Sequence, residues 1–489
     1  MKVVATNNAP AAIGPYSQAM ILNDVLFTSG QIPINPATGE TLANVQKGGE
    51  SETHEAIKAA KKAFEEWSKT SPAQRAKLMN KMADLVEEDS ERLATIMTME
   101  QGKPLKQAAS EINTNVENLR WNAAEGQRIL GEIIPSPATN EWQVRKEPVG
   151  VVGAITPWNF PSNMIIRKIS PAIAAGCTVI LKPAKATPLS ALALMELFDQ
   201  AGFPPGVVNI VTGDSSTIGK ILTESEDVQK ITFTGSTEVG QILNKQAAST
   251  LKKVSMELGG HAPLIIFPDA DLELATDQLI KTKFINNGQV CTSPNRIFLH
   301  EAIKEEATKL IVEKIKQVSV GNGLDDPTTG PLINQEGVEK VEEQIKDAVD
   351  KGAKILAGGQ RLTEGEYAHG YFFEPTVLDG VTKEMDIFYQ ETFGPVIPLI
   401  AFKEEEEVIK DANDTIFGLA SYFFATNIHT IANVSQKLQY GMVGVNDTAI
   451  SNSATPFGGV KHSGFGRENG TYGVEEYVVA KFVTIRTAK

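Results

Sequence analysis

One of the two cysteines lies in a sequence context suited to nucleophilic chemistry. Cys291 ends the polar segment Phe-Ile-Asn-Asn-Gly-Gln-Val-Cys, whereas Cys177 lies in the apolar run Ala-Ala-Gly-Cys-Thr-Val-Ile. The thiolate is the reactive form of cysteine, and burial in apolar surroundings disfavours it. We therefore predict that Cys177 packs in the core and that Cys291 is the better nucleophile. The alternative for Cys291 is an inert packing role.

A second candidate reactive group is the carboxylate of Glu257. This residue ends the strand-like run Val-Ser-Met-Glu, and Gly259 and Gly260 follow shortly after it. A carboxylate whose position is fixed at the end of a strand can act as a general base. The alternative is an ordinary glutamate on the surface.

A glycine turn between a strand and a helix is a candidate anion site. Lys230–Thr234 is strand-like, Gly235 and Ser236 follow it, and we predict a helix from about Thr237. Free backbone N–H groups and the positive end of the helix dipole favour a pyrophosphate at such a point. Because the spacing is not G-x-G-x-x-G, a plain strand-to-helix turn is an equal alternative.

These groups need a scaffold, and the hydrophobic pattern predicts one of α/β type. Short Val/Ile-rich runs alternate with helical stretches from residue 148 onward, at 149–155, 178–181, 207–211 and 230–234. Their spacing fits βαβ units, and hence a parallel sheet covered by helices that binds ligands beyond the carboxyl ends of its strands. A second alternating region covers about 258–430. We predict two α/β domains with a site between them.

Composition excludes several classes of protein. The 489 residues include 46 lysines and arginines and 60 aspartates and glutamates, which gives a net charge of −14 and argues against a nucleic-acid partner. Two cysteines cannot build a disulfide framework or a thiolate zinc cage, so we expect no metal. No apolar run approaches the roughly 18 residues of a membrane span. We expect a soluble cytoplasmic protein without a secretory signal.

Taken together, the motifs resemble the NAD(P)-dependent aldehyde dehydrogenase superfamily. In chain order the matching motifs are Thr156-Pro-Trp-Asn-Phe-Pro, Lys182-Pro-Ala-Lys-Ala-Thr-Pro, Phe233-Thr-Gly-Ser-Thr, Glu257-Leu-Gly-Gly, Gly-Gln-Val-Cys291, Glu391-Thr-Phe-Gly-Pro and Pro456-Phe-Gly-Gly. The resemblance implies that the Cys291 thiolate attacks an aldehyde and that Asn159 and the Cys291 N–H hold the oxyanion. It further implies that Glu257 activates water for hydrolysis of the thioester. Lys168 and Glu468 match residues that pass protons outward.

The same resemblance assigns residues to a nicotinamide dinucleotide. Lys182 matches a lysine that contacts the adenosine ribose, and Glu391 matches the residue that holds the nicotinamide ribose. The other residues assigned to the cofactor are Thr156, Trp158, Lys185, Gly213, Gly235, Ser236 and Phe393. Relatives that prefer NAD often carry glutamate at position 185, whereas a lysine there can pair with a 2′-phosphate. We expect NADP to be accepted and leave NADP or NAD open as the preferred cofactor.

Finer matches point to the substrate. The stretches around 159–168, 291–296 and 450–452 most resemble the succinate-semialdehyde dehydrogenase branch, which assigns Arg167, Arg296 and Ser451 to substrate binding. A guanidinium suits a distal carboxylate because it binds both of its oxygens. A second arginine of that branch is Ile285 here. Succinate semialdehyde is therefore the leading substrate, another small aldehyde is an alternative, and a non-catalytic binding protein with this fold is a second one.

That branch also often has a second cysteine two residues after the nucleophile. This chain has Ser293 at that position. We therefore predict no disulfide control in the nucleophile loop.

The first 40 residues differ from the rest. They resemble the start of the Rid family of reactive-intermediate deaminases, and they predict a hairpin from Ala19–Leu22 and 25–29 joined at Asn23-Asp24. Too little of a Rid domain is present for its pocket, so a hairpin is favoured over a deaminase element.

The expected fold is aldehyde dehydrogenase-like, with a doubly wound Rossmann-type cofactor domain, an α/β catalytic domain and a small β oligomerisation element. The predicted domains are 1–40 for the hairpin segment, 41–125, 146–256 and 431–470 for cofactor binding, 257–430 for catalysis, and 126–145 with 471–489 for oligomerisation. A homodimer or homotetramer is implied.

Overall fold

The computed structural model describes residues 2–4, 19–22, 25–31 and 33–486. Its strands are β1 Lys2–Val4, β2 Ala19–Leu22, β3 Val25–Gln31, β4 Val45–Gln46, β5 Glu132–Ile134, β6 Asn140–Pro148, β7 Val151–Ile155, β8 Thr178–Lys182, β9 Val208–Ile210, β10 Lys230–Thr234, β11 Lys253–Glu257, β12 Ala262–Ile266, β13 Pro294–His300, β14 Lys354–Ala357, β15 Thr376–Asp379, β16 Val396–Phe402, β17 Ala420–Phe424, β18 Met442–Val445, β19 Gly464–Phe465 and β20 Val478–Arg486.

The α-helices lie mainly between these strands. They are α1 Glu50–Trp67, α2 Pro72–Glu88, α3 Ser90–Gln101, α4 Leu105–Glu125, α5 Asn163–Ala175, α6 Pro188–Ala201, α7 Ser215–Glu224, α8 Thr237–Ala247, α9 Leu272–Lys283, α10 Lys304–Ile315, α11 Gln335–Asp350, α12 Glu405–Asn413, α13 Ile428–Lys437 and α14 Gly470–Glu475.

The first large sheet has the order β19-β11-β10-β7-β8-β9, and only β19 runs antiparallel to its neighbour. Its Val- and Ile-rich strands are buried on both faces, as expected of a parallel sheet covered by helices. Val152 and Leu181 pack against one group of helices, and Val151 and Ile180 pack on the opposite face. The α/β reading of this region is confirmed.

The second large sheet has the order β14-β15-β16-β13-β12-β17-β18, and only β14 is antiparallel. It lies in the region where the sequence predicts a second α/β unit. The assignment of the sheets to separate domains with the predicted boundaries stays a prediction.

Two smaller sheets complete the fold. β20 pairs antiparallel with β6 from Val478 opposite Pro148 to Arg486 opposite Asn140, and β5 adds a third strand. At the other end of the chain, β2 pairs antiparallel with β3, with Leu22 opposite Val25, which confirms the paired strands of the hairpin. The predicted turn at residues 23–24 lies outside the described residues.

Candidate active site

A cavity of about 820 Å³ lies at segments that follow β7, β10 and β11 and precede β13. Of the predicted site residues it is lined by Trp158, Asn159, Arg167, Gly235, Ser236, Cys291, Glu391, Phe393 and Ser451. Parallel strands place their carboxyl ends at one edge of a sheet, so residues distant in sequence meet there. The residues predicted for the nucleophile, the oxyanion and the nicotinamide end of a cofactor thus share one cavity.

The loop before Cys291 has an unusual backbone. Asn286, Asn287 and Gly288 all have positive φ, at 49°, 56° and 76°. Asparagine and glycine tolerate this left-handed region better than other residues do. A Cβ on Gly288 would lie 2.2 Å from the carbonyl oxygen of Gly394, so only glycine fits there. The sequence Asn-Asn-Gly therefore sets the path that brings Cys291 to the cavity.

Asn159 is fixed by three hydrogen bonds. Its side-chain amide donates to the main-chain oxygen of Gln289 at 2.9 Å, which ties it to the nucleophile loop. Its own carbonyl accepts from Lys103 Nζ at 2.8 Å and from Asn286 Nδ2 at 2.9 Å. Since an amide nitrogen carries two hydrogens, one remains for a ligand in the cavity.

Glu257 ends β11, as predicted, and its side chain is buried, which excludes the alternative of an ordinary surface glutamate. Its Oε1 atom has no hydrogen-bond partner within the described structure, and a Cβ on Gly458 would lie 2.9 Å from it. Burial, together with the nearby Glu468, raises the pKa of Glu257. A carboxyl group with a raised pKa is a better proton acceptor near neutral pH than an ordinary one.

Behind the cavity lies a cluster of buried charges. Lys168 Nζ is 2.5 Å from Glu468 Oε1, and Arg167 Nε is 3.1 Å from Glu468 Oε2. Burial alone would raise the pKa of Glu468, but the two cations outweigh it and lower that pKa. Both cations come from α5, whose thirteen residues are all buried.

Arg167 retains unused hydrogen-bonding capacity. Its Nε and Nη2 atoms lack hydrogen-bond partners in the described structure, because the contact with Glu468 is not aligned for a hydrogen bond. The guanidinium carbon lies 4.0 Å from the ring centre of Phe457. A buried, unsatisfied guanidinium that lines a cavity is suited to an anionic ligand group.

The groups around the thiol of Cys291 disfavour its thiolate form. Burial and the nearby carboxylates of Glu257 and Glu391 raise its pKa to about 12. Cys177 is fully buried in the core, as predicted, and burial raises its pKa to about 11. Both cysteines are free thiols.

Several residues outline the nicotinamide end of a cofactor site. Glu391 Oε1 accepts from the N–H of Gly260 at 3.0 Å. Burial raises the pKa of Glu391 to about 7, against the opposing effect of that hydrogen bond. Trp158 and Phe393 pack edge to face with ring centres 5.6 Å apart. Phe393 has a φ of 55°, a backbone conformation that favours glycine and that this bulky residue nevertheless holds.

The predicted turn for a pyrophosphate is formed. α8 begins at Thr237, and Ser236 caps it by accepting from the N–H of Val239 at 3.4 Å. A Cβ on Gly235 would lie 2.4 Å from the ring of Phe233, so a side chain there would clash. Both turn residues line the cavity, so the cavity adjoins the start of α8, where the helix dipole favours an anion.

The adenosine end lies beyond β8. Lys182 donates to Ser215 Oγ at 2.7 Å, and burial lowers its pKa to about 8. Lys185 is exposed. Gly213 has a φ of 143°, and a Cβ there would lie 1.9 Å from the oxygen of Gly48, so its close backbone approach requires glycine. Thr156 Oγ1 is buried and lacks a hydrogen-bond partner among the described residues.

Arg296 is a correction to the predicted substrate site. Its side chain is fully buried and does not line the cavity. It donates to the main-chain oxygens of Asp411, Ala412 and His261 and to the hydroxyl of Tyr440, at 2.8–3.2 Å. Because β13 directs it toward these acceptors, Arg296 joins elements of the second large sheet instead of meeting a substrate.

Three groups that sequence reasoning did not assign also reach the cavity. Lys103 and Glu111 form a buried ion pair beside Asn159. Lys281 is exposed on α9, one turn before Ile285, and makes no hydrogen bond or ion pair in the described part of the chain. Glu111 lies in the helical register of the buried residues Ala108 and Ile112 on α4, and a charged residue in that register is the signal that could have revealed it.

Residues 33–486 and the described strands before them contain no group of three or more His, Cys, Asp or Glu side chains arranged to hold a metal ion. Among the described helices, none has the length and apolarity needed to cross a bilayer.

Comparison with known proteins shows which family the chain belongs to. The aldehyde dehydrogenase family profile matches residues 28–483. A protein named 3-sulfolactaldehyde dehydrogenase from Pseudomonas putida is 48% identical over 453 residues, 92% of each chain. A succinate-semialdehyde dehydrogenase [NADP(+)] from Escherichia coli (strain K12) is 46% identical over 92% of this chain and 93% of that one. The crystal structure of succinate-semialdehyde dehydrogenase from Burkholderia pseudomallei superposes with a TM-score of 0.93 at 46% identity, covering 96% of this chain and 98% of the other. The chain therefore belongs to the aldehyde dehydrogenase family.

Proposed function

We propose that this protein oxidises an aldehyde with a distal anionic group to the corresponding acid, with succinate semialdehyde as the leading substrate and NADP as an accepted cofactor. The observation that carries the proposal is that Cys291, the Asn159 amide and the unsatisfied guanidinium of Arg167 line one cavity. A nucleophile, an oxyanion donor and an anion-binding group are what such a substrate requires.

The first chemical step uses the thiol and a base. The Cys291 sulfur attacks the aldehyde carbon while its proton passes to a carboxylate, and Glu257 suits this role because its pKa is raised. The Asn159 amide and the Cys291 N–H hold the oxygen of the resulting thiohemiacetal. Glu257 must release this proton before it can act again, and the adjoining Lys168–Glu468 pair is proposed to pass it outward to solvent. Glu257 then takes a proton from the water that attacks the thioester and returns it to the departing sulfur, which frees the acid and restores the thiol.

The residues present fit a nicotinamide dinucleotide. The candidate donors and acceptors are the backbone at the start of α8, the carboxylate of Glu391, and the Thr156 hydroxyl, which is buried and has no partner among the described residues. When bound, the nicotinamide is the two-electron acceptor that allows a thiohemiacetal to become a thioester. The exposed ammonium of Lys185 favours acceptance of a 2′-phosphate, and hence of NADP.

The substrate end of the cavity distinguishes two candidate tails. Arg167 and Ser451 are proposed to hold the distal carboxylate, and Ile285 removes a second guanidinium from the expected pair. Lys281, which is exposed and unpartnered, is proposed to meet the tail where the cavity opens to water. The similarity to a 3-sulfolactaldehyde dehydrogenase favours a sulfonate tail as the second candidate, since a guanidinium also binds sulfonate oxygens.

We also propose that copies of the chain assemble into a homodimer or homotetramer. In the sheet β20-β6-β5, the side chains of Phe482 and Ile133 are 59% and 78% exposed. Contact of exposed apolar groups with water is unfavourable, so burial of this sheet against a second copy is favoured. The Rid-like segment 1–40 is proposed to act as a structural hairpin rather than as a deaminase.

One panel of assays tests the proposed function. Succinate semialdehyde, 3-sulfolactaldehyde and butanal are each assayed with NADP and with NAD. We expect kcat/KM for one of the two anionic aldehydes to exceed that for butanal by about 100-fold, because butanal lacks the charged group that Arg167 binds. Equal rates with butanal would overturn anion recognition, and no oxidation of any aldehyde would overturn the function.

A variant of Lys185 tests the cofactor assignment. Lys185→Gln should lower kcat/KM for NADP about tenfold and leave that for NAD unchanged, because only NADP carries the 2′-phosphate. Lys220→Gln, an exposed lysine on α7, is the control and should change neither. A wild-type kcat/KM at least tenfold higher with NAD than with NADP would contradict the assignment.

A further inference from the structure

Asn159 and the segment that follows it are held by a buried ion pair that has no role in the reaction proposed above. Lys103 Nζ lies 2.6 Å from Glu111 Oε2, and the two side chains are 1% and 2% exposed. Lys103 also donates to the carbonyl of Asn159 at 2.8 Å, and its ammonium lies 4.1 Å from the ring centre of Phe160. Buried charges are costly unless they are paired and hydrogen-bonded, so this arrangement has a defined geometry.

Glu111 extends the same network to the next helix. Its second oxygen, Oε1, accepts from the N–H of Ser162 at 3.0 Å and from the N–H of Asn163 at 2.8 Å. These are the amides at the start of α5, where a negative charge is favoured. One carboxylate therefore connects Lys103 with residues 162 and 163, just after the segment that carries Asn159.

The ion pair acts on Asn159 at a specific atom. The Asn159 carbonyl accepts from Lys103 on one side and from Asn286 on the other, while its side-chain amide donates to Gln289. With its backbone oxygen held twice and one amide hydrogen engaged, the second amide hydrogen has a fixed direction. Movement of the backbone by a few tenths of an ångström would misdirect this donor, and oxyanion stabilisation depends on such placement.

We propose that Lys103 and Glu111 are positioning residues that hold the Asn159 amide in the orientation needed to bind the oxyanion. This inference rests on the proposed oxidation through Cys291. It assigns the two charges a role in the chemical step that acts through Asn159, and not a role in substrate affinity.

The chain offers a matched control for a purely structural role. Glu100 is also fully buried, and its carboxylate accepts from the N–H of Leu189 at 2.7 Å and of Ser190 at 2.8 Å. It thus caps the start of α6 as Glu111 caps the start of α5, but it does not line the cavity. Glu100→Gln removes the same kind of contact at a helix outside the site.

The test is a double-mutant cycle on the full-length protein. Lys103→Met and Glu111→Gln are each made alone and with Asn159→Ala, and kcat and KM for the aldehyde are measured at saturating cofactor. We expect Lys103→Met and Glu111→Gln each to lower kcat about 10- to 100-fold with little change in KM. When either is added to Asn159→Ala, kcat should fall less than about twofold below that of Asn159→Ala alone. Glu100→Gln should lower the melting temperature without a matching loss of kcat. Lys103→Arg, which keeps the charge, should recover part of the rate.

The outcomes separate the two proposals. Full additivity with Asn159→Ala, or an equal loss of kcat in Glu100→Gln, would overturn the positioning role. If Glu111→Gln does not fold, kcat values for Lys103→Met and Lys103→Arg, alone and combined with Asn159→Ala, are sufficient to test the positioning role. If Asn159→Ala or Cys291→Ala retains the wild-type rate, the failure lies in the proposed reaction and not in the positioning of Asn159.

Discussion

The surroundings of the two cysteines differ although the pKa of each thiol is raised. Cys177 lies among apolar residues of the first core, and its thiol donates to the carbonyl of Tyr477 at 3.3 Å. Cys291 lines a cavity that is also lined by Asn159. Glu257 lies close enough for its charge to act on the Cys291 thiol. A raised pKa therefore does not distinguish the reactive cysteine from the inert one. What marks Cys291 is the set of unsatisfied polar groups gathered beside it.

Removal of each thiol gives the sharpest contrast. Cys291→Ala should lower aldehyde oxidation by at least about 10³-fold, since loss of a nucleophile removes the covalent route. Cys177→Ala should keep kcat near the wild-type value and lose about 1 kcal/mol of stability, because it removes one buried sulfur from the core. Steady-state kinetics and thermal unfolding of both variants make the comparison. Loss of activity in Cys177→Ala but not in Cys291→Ala would contradict the assignment of Cys291 as the nucleophile.

The unsatisfied guanidinium separates substrate recognition from chemistry at the same cavity. Arg167→Met should raise KM for the anionic aldehyde so that its kcat/KM falls about 100-fold, because the buried anion loses its partner. Butanal, which has no anionic group, should be oxidised with kcat/KM changed far less. A similar fall for both substrates would show that Arg167 serves the reaction through Glu468 instead.

The pH dependence of alkylation compares the thiols directly. Since the pKa of Cys291 is raised to about 12, its reaction with iodoacetamide without cofactor should keep rising with pH across the range in which the protein stays folded. The pKa of Glu257 is raised to about 8, so its negative charge, which disfavours the thiolate, is present mainly above that pH. Glu257→Gln should therefore raise the rate several-fold, up to about tenfold, above pH 8 and change it little below. Cys177 should react only after denaturation. A plateau below pH 8 for Cys291 would contradict the account.

The outer edge of the cavity should give the smallest effect. Lys281→Ala should raise KM for the anionic aldehyde about threefold without changing kcat, because exposed charges interact through water. Added salt should reduce the difference between the variant and the wild type. Lys309→Ala, an exposed lysine on α10 that does not line the cavity, is the control. An unchanged KM in Lys281→Ala would remove this residue from the substrate site.

Much of the scaffold follows from local pattern. The strand Lys230–Thr234 and the helix from Thr237 form as predicted, because a Val/Ile-rich buried strand and a capped helix start are determined by adjacent residues. The contrast between Cys177 and Cys291 was also predictable, since it depends on the residues next to each cysteine.

Features that depend on distant contacts were not predictable in the same way. Arg296 lies five positions after Cys291, yet the direction of β13 turns it toward the main-chain oxygens of Asp411 and Ala412. The Lys103–Glu111 pair meets Asn159 only because α4 packs beside α5. Spacing along the chain reveals neither the partner nor the acceptor, because both are supplied by the tertiary fold.

The central claim is that Cys291 carries the acyl group and that Glu257 activates the water that removes it. Glu257→Gln is mixed with succinate semialdehyde and NADP at alkaline pH, where the thiol can lose its proton to solvent without this base. After quenching in acid and digestion, the peptide that contains Cys291 should retain a succinyl group. The peptide that contains Cys177 should carry no succinyl group. Turnover without any acyl adduct on Cys291, or an adduct on another residue, would contradict the account.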